Sequence, residues 1–142
     1  MPPVAVLDLN VLVSGLFPRP SVPHHVLQRF RDGVFQLAIS PELIGELVTV
    51  LMRPHLRRLI APEAIHALLE NIHRDALIIE PTERPQVVPA DPDDDELFAC
   101  ALAAQAGYLV SGDRAVLSVK RFRDIHVVSP SAFLGILPHH PA

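Results

Sequence analysis

The chain has 142 residues, a formal charge of -4, 49% hydrophobic residues and no Trp. That length fits one domain, and that apolar content excludes a disordered chain and supplies a core of Val, Leu, Ile and Ala. The acidic balance excludes a strongly basic nucleic-acid coat, but it has one focus. Without Asp91, Asp93, Asp94, Asp95 and Glu96, 12 basic face 11 acidic side chains.

In chain order, residues 4–9 form an apolar, β-prone run interrupted by Asp8. They read as a central strand buried on both faces. No signal peptide is read there. Residues 10–14 read as a helical or turn segment, and Pro18, Pro20 and Pro23 mark a loop. A short helix over 24–31 stops at Gly33, and a second strand covers 35–39. Ser40-Pro41-Glu42 is a helix start, with a capping hydroxyl, a proline suited to the first position and an acid in the first turn. Leu43, Leu47, Val50 and Leu51 share its apolar face, and Pro54 ends it. Ala61-Pro62-Glu63 starts another helix, with Ile65, Leu68, Leu69 and Ile72 inward.

A third strand over 76–79 leads into a polar loop over 80–89. Asp91 then caps a helix with Pro92 first, which runs to Ala106 and stops at Gly107. Strand four covers 108–110, a short helix 114–120, strand five 126–128, and a last helical turn 132–137. Residues 138–142, with His139 and His140, read as a frayed tail after a domain over 1–137. The pattern predicts an α/β domain with a mostly parallel five-stranded sheet and helices on both faces. Cys100, the single cysteine, lies in an apolar run. It reads as a small buried hydrophobe, compatible with a reducing cytoplasm. No apolar stretch is long enough to span a bilayer.

Ligands of such sheets bind beyond the carboxyl ends of the strands. Asp8 and Asp113 stand there, and Asp94 and Glu46 stand near the starts of helices directed to the same rim. Asp113, Asp94 and Glu46 alone read as a cap, a first-turn acid and a surface group, whereas Asp8 interrupts an apolar strand and needs a partner, for which a metal ion is one candidate. Together they repel one another unless a cation lies among them. Dispersed His and a lone Cys argue against zinc, and oxygen-only ligands point to Mg²⁺ or Mn²⁺, which activate water and neutralise charge at a phosphoryl group.

Four segments carry a resemblance in order along nearly the whole chain: residues 6–14 around Asp8-Leu9-Asn10, 40–47 from Ser40 to Glu46 and Leu47, Asp91-Pro92-Asp93-Asp94-Asp95, and 108–113 ending Ser111-Gly112-Asp113. They resemble PIN domains, most of all the bacterial subgroup described as toxins of toxin–antitoxin pairs. The resemblance implies a Mg²⁺- or Mn²⁺-dependent endoribonuclease, a homodimer and a small antitoxin partner. It places the metal-binding, catalytic acids at Asp8, Glu46, Asp94 and Asp113, with Asn10 and Ser111 supporting them. Helical periodicity alone does not separate Asp94 from Asp93 and Asp95.

Two basic clusters are candidates for RNA phosphates: Arg53, His55, Arg57 and Arg58, and Arg114, Lys120, Arg121 and Arg123. The assignment for substrate rests on Arg53, Arg57, Arg58 and Arg114. Apolar residues near Leu51, Met52 and Leu56 are candidates for a protein contact. The alternative reading is a PIN-like module that binds RNA or protein without cutting, and the presence of all four acids disfavours it. A phosphoacceptor receiver domain expects Asp after a middle strand and a late-strand lysine. Here that strand is followed by Glu80, and Lys120, the one lysine, lies in a helix-like segment.

Overall fold

The computed structural model describes residues 2–89 and 91–138. Its centre is β1 (Val4–Leu7), paired in parallel with β2 (Gln36–Ile39) on one side and with β4 (Tyr108–Val110) on the other. Ala5, Val6 and Leu7 are almost fully buried, as expected for a parallel strand covered on both faces. β3 (Leu77–Ile78) extends the sheet beyond β2, and β6 (Ile125–Val128) extends it beyond β4. The order is β3-β2-β1-β4-β6-β5, so successive strands leave β1 in opposite directions. The crevice between the carboxyl ends of β1 and β4 is therefore the switch point of the sheet.

Among the described residues the sheet has six strands, not five. The sixth, β5 (Arg121–Phe122), pairs antiparallel with β6 through a two-residue turn at Arg123 and Asp124. Lys120 and Arg123 take left-handed backbone conformations with φ of 65° and 53°. This conformation is uncommon for residues other than glycine, so the sequence carries no glycine signal for the hairpin. Phe122 faces Phe98 edge-on with ring centroids 5.8 Å apart, a tertiary contact that helps seat the short strand.

The helices follow their local signals closely at the starts. α1 (Leu9–Ser14) is capped by Asp8, so the first strand ends at Leu7 and Leu9 is already helical. α2 (Val22–Arg31) is capped by Ser21. α3 (Pro41–Leu51) is capped by Ser40, whose Oγ accepts the Leu43 N–H at 3.2 Å. Leu43, Leu47 and Leu51 recur every fourth residue and are buried, giving the stripe that a core-facing helix requires.

Pro54 does more than end α3. It occupies the first turn of an additional helix, α4 (Pro54–Leu59), before α5 (Pro62–Asp75). The fixed φ of proline suits both boundaries. Leu56 anchors α4 in the core at 8% exposure. Of the three apolar residues proposed for a protein contact, Leu51 and Leu56 are thus buried, and Met52, at 56% exposure, is open.

Helix ends differ more from the sequence reading. Asp91 does cap, with its carboxylate accepting the Asp93 N–H at 3.0 Å. It starts a 3-10 turn (Pro92–Asp94), followed by α6 (Asp95–Ala103). The helix stops before Ala106 because Gln105 turns left-handed at φ 52°, which buries Ala106 and lets the Gly107 N–H bond to the Val4 carbonyl at 3.1 Å. α7 (Arg114–Leu117) likewise stops short of Lys120. α8 (Pro130–Ile136) closes the described chain. The tail residues 139–142, His139 and His140 included, lie outside the described residues.

α6 is buried almost all round from Glu96 to Ala101. Cys100 is fully buried there, and burial first, then Glu96, pushes its thiol up to about 12. A thiol so shielded is an inert packing group. Among the described residues, no helix is long and apolar enough to cross a membrane.

Candidate active site at the sheet switch point

Asp8 follows β1 and Ser111 follows β4, so adjacent strands deliver both to one crevice. Asp8 is 7% exposed. Its Oδ2 accepts the Ser111 hydroxyl at 2.7 Å, and its Oδ1 accepts the Asn10 N–H at 3.4 Å. Ser111 Oγ also accepts the Asp113 N–H at 3.0 Å, while Asp113 Oδ1 takes the Ala115 N–H at 2.8 Å as the cap of α7. One serine hydroxyl thus ties the two strand-end acids together. Asn10 serves Asp8 through its backbone, and Ser111 through its side chain.

Asp94 reaches the same place from the turn before α6. Its carboxyl is pushed up to about 6, first by burial and then by the charges of Asp91, Asp8, Asp113 and Asp93. Its Oδ2 is buried without a hydrogen-bond partner among the described residues. An unpartnered buried oxygen beside like charges is costly. Glu46 enters from α3. Burial raises its pKa, helped by the charges of Asp93, Glu42 and Glu96. Glu46, Asp8, Asn10, Asp93 and Asp94 line one cavity of about 570 Å³, with Arg53 on its wall. Asp113 is joined to this group through Ser111 and by its charge on Asp94.

The acidic run divides its labour. Asp95 Oδ1 accepts the Val87 and Val88 N–H groups at 2.8 and 2.7 Å, so this carboxylate holds a loop. Asp94 faces the cavity and keeps an unpartnered oxygen. Asp93 also lines the cavity, on the side of Glu46. Glu96 was not foreseen as anything but part of the run. It is buried, accepts the Ser40 hydroxyl at 3.4 Å and pairs with Arg84. Its position one residue beyond Asp95, on the core side of α6, gave no periodic signal in a helix that is apolar nearly all round.

The donor set fits a hard divalent cation, because every side-chain donor is an oxygen and Asp94 Oδ2 has no partner among the described residues. Asp8, Asp94 and Asp113 would hold such an ion, with Glu46 across the cavity. Among the described residues, no three His, Cys, Asp or Glu side chains form a ready-made cage. Mg²⁺ tolerates that, since it retains several waters and takes one or two carboxylates directly.

The basic clusters separate. Arg121 pairs with Asp124 at 3.7 Å and Arg123 with Glu83 at 2.8 Å. Arg57 and Arg58 are exposed on α4, beside the cavity residue Arg53, and none of the three has a carboxylate partner among the described residues. Arg114 is exposed next to Asp113.

A family model described as a PIN domain matches residues 4–115, which spans all four acids. No curated protein matches the chain.

Proposed function

Since the chain belongs to the PIN-domain family, whose fold is nuclease-like and whose nucleases typically use divalent metals, we propose that it is a Mg²⁺- or Mn²⁺-dependent endoribonuclease, the toxin of a toxin–antitoxin pair. The observation that carries this reading is the orphaned Asp94 Oδ2, buried beside the charges of Asp8 and Asp113 at the sheet switch point. A bound cation relieves that arrangement.

A bound cation supplies an activated water and neutralises charge at the phosphoryl group. The chain's own groups do the rest. Asp8, fixed by Ser111 and the Asn10 N–H, presents a carboxylate whose orientation is set before ligand arrives. Asp94 and Asp113 complete the negative wall. Glu46, with its raised pKa, is placed to take a proton across the cavity. Arg53 on the cavity wall and Arg57 and Arg58 along α4 offer guanidinium groups to the phosphates of an RNA strand. Arg114 lies beside Asp113 and offers a fourth.

The test is cleavage of a mixed RNA pool with Mn²⁺, with EDTA as control. Wild type cleaves only with the metal. Asp8→Asn loses cleavage and Mn²⁺ affinity by calorimetry while circular dichroism stays native. Arg57→Ala cleaves more weakly than wild type, by a larger factor at 50 mM than at 200 mM salt, with unchanged Mn²⁺ affinity. Activity that survives EDTA sinks the metal mechanism. Binding of RNA without any cleavage in Mn²⁺ would favour the non-catalytic reading.

Two protein contacts complete the proposal: a homodimer, and a small antitoxin that covers the acidic rim. Val48 on α3, Met52 at its C-terminal cap and Leu59 on α4 are exposed at 38%, 56% and 56%. Their burial against a second copy would remove apolar surface from water. Light scattering is expected to give twice the chain mass, and a monomer at every practical concentration would defeat the dimer.

A further inference from the structure

Residues 79–91, between β3 and the turn before α6, form no helix or strand among those described, yet the segment is fastened at several points. Val88 is buried at 3% exposure, and Asp95 holds the Val87 and Val88 N–H groups. From the same loop, Arg84 pairs with Glu96 Oε2, with Glu42 Oε2 at 3.6 Å and with Glu80 Oε1 at 3.4 Å. Glu96 Oε1 in turn accepts the hydroxyl of Ser40, the cap of α3. One guanidinium therefore joins the N-terminal ends of α3 and α6.

Those two ends carry Glu42, Glu46, Asp93, Asp94, Asp95 and Glu96. Like charges at such spacing push the helix ends apart. Among the described residues, Arg84 is the one Lys or Arg that pairs with any of these six. Its planar fork suits a bridge between carboxylates better than an ammonium does. Removing it would also leave Glu96 buried without its counter-charge. Arg84 does not line the cavity, so any influence on the site travels through Glu96 and the backbone just before it.

We infer that Arg84 is a positioning residue of the site: by bridging Glu96 and Glu42 it clamps the Pro92–Asp94 turn against α3 and so sets how Asp94 stands toward Asp8 and Glu46. The inference rests on the function proposed above.

The experiment measures Mn²⁺ affinity by calorimetry, and amide hydrogen exchange without metal, in wild type, Arg84→Met and Arg84→Lys. Arg84→Met is expected to bind Mn²⁺ roughly tenfold more weakly, the scale for losing a group that orients a ligand. Its exchange is expected to quicken at Val87 and Val88 and across residues 93–97. Arg84→Lys restores charge but spans one carboxylate at a time, so about a threefold loss is expected. A residue that only holds the scaffold would lower Tm and leave affinity untouched, so wild-type Mn²⁺ affinity in Arg84→Met overturns the inference. If Arg84→Met does not fold, Arg84→Lys decides, and undiminished affinity there overturns it. If wild type itself binds no Mn²⁺, the functional reading fails by itself and exchange decides. Unchanged protection over 93–97 in the variants then overturns the clamp, and faster exchange supports it.

Discussion

Asp94→Asn is expected to reduce RNA cleavage at least about 100-fold, the scale for deleting one preorganised electrostatic group, while making the metal-free protein more stable. The two effects share one cause. The Asp94 carboxyl has a pKa of about 6 against an ordinary 3.8, through burial first and then the charges of Asp91, Asp8, Asp113 and Asp93. The folded chain therefore holds this proton more tightly than the unfolded chain. Ionisation costs stability above pH 6, and the cost disappears as pH falls from about 6 toward 4.

The whole shift would correspond to about 3 kcal/mol, but the side chain is half-exposed, and solvent screening reduces it to about 1 kcal/mol. In EDTA at pH 8, Asp94→Asn should melt roughly 3 °C above wild type, and the gap should close near pH 4. With saturating Mn²⁺ the order should reverse, because only wild type gains binding energy, about 2.7 kcal/mol at a hundred times Kd. Asp95→Asn should stay close to wild type in cleavage, since an amide oxygen still accepts the Val87 and Val88 N–H groups. If cleavage survives Asp94→Asn and is lost in Asp95→Asn, the cation ligand lies one residue further along.

Phe133→Ala is expected to be the reverse case, with a large loss of stability and an intact site. Phe133 is fully buried on α8. It meets Phe35 edge-on at 5.0 Å between ring centroids and Tyr108 at 5.7 Å. Phe35 precedes β2 and Tyr108 begins β4, so this aromatic cluster packs the amino ends of the strands. The acids occupy the carboxyl ends. Truncation removes buried apolar area and leaves a cavity, at a cost of about 3–5 kcal/mol. For a chain of this size that lowers Tm by roughly 10 °C. Mn²⁺ affinity at a temperature where the variant is folded should remain within about twofold of wild type, since well-separated sites act additively. A Tm change of less than about 2 °C would show that α8 contributes little to the cooperative core.

The sequence by itself determined those features whose causes are local. Ser40 followed by Pro41 started α3 where the cap and the fixed proline φ require it, and every fourth residue from Leu43 faced the core. Apolar runs around Ala5, Leu37 and Leu109 had to be strands buried on both sides, and alternation with helices forced them parallel. That topology placed Asp8 and Asp113 at one rim before any contact was known.

Tertiary structure decided what depends on neighbours distant in the chain. The hairpin of β5 and β6 turns on left-handed Arg123, with no glycine there to announce it, and α6 ends at Gln105 because Ala106 is drawn into the core. Three adjacent acids with equal local propensity acquired different partners. Asp95 met the Val87 and Val88 amides, Glu96 met Arg84 and Ser40, and Asp94 was left facing Asp8 and Asp113 with an oxygen unpartnered. Periodicity could not separate them, because a helix buried almost all round has no polar face to point with. Only the folded sheet, which brings Val110 beside Leu7, sets Ser111 and Asp113 next to Asp8, in a crevice whose cavity both Asp93 and Asp94 line.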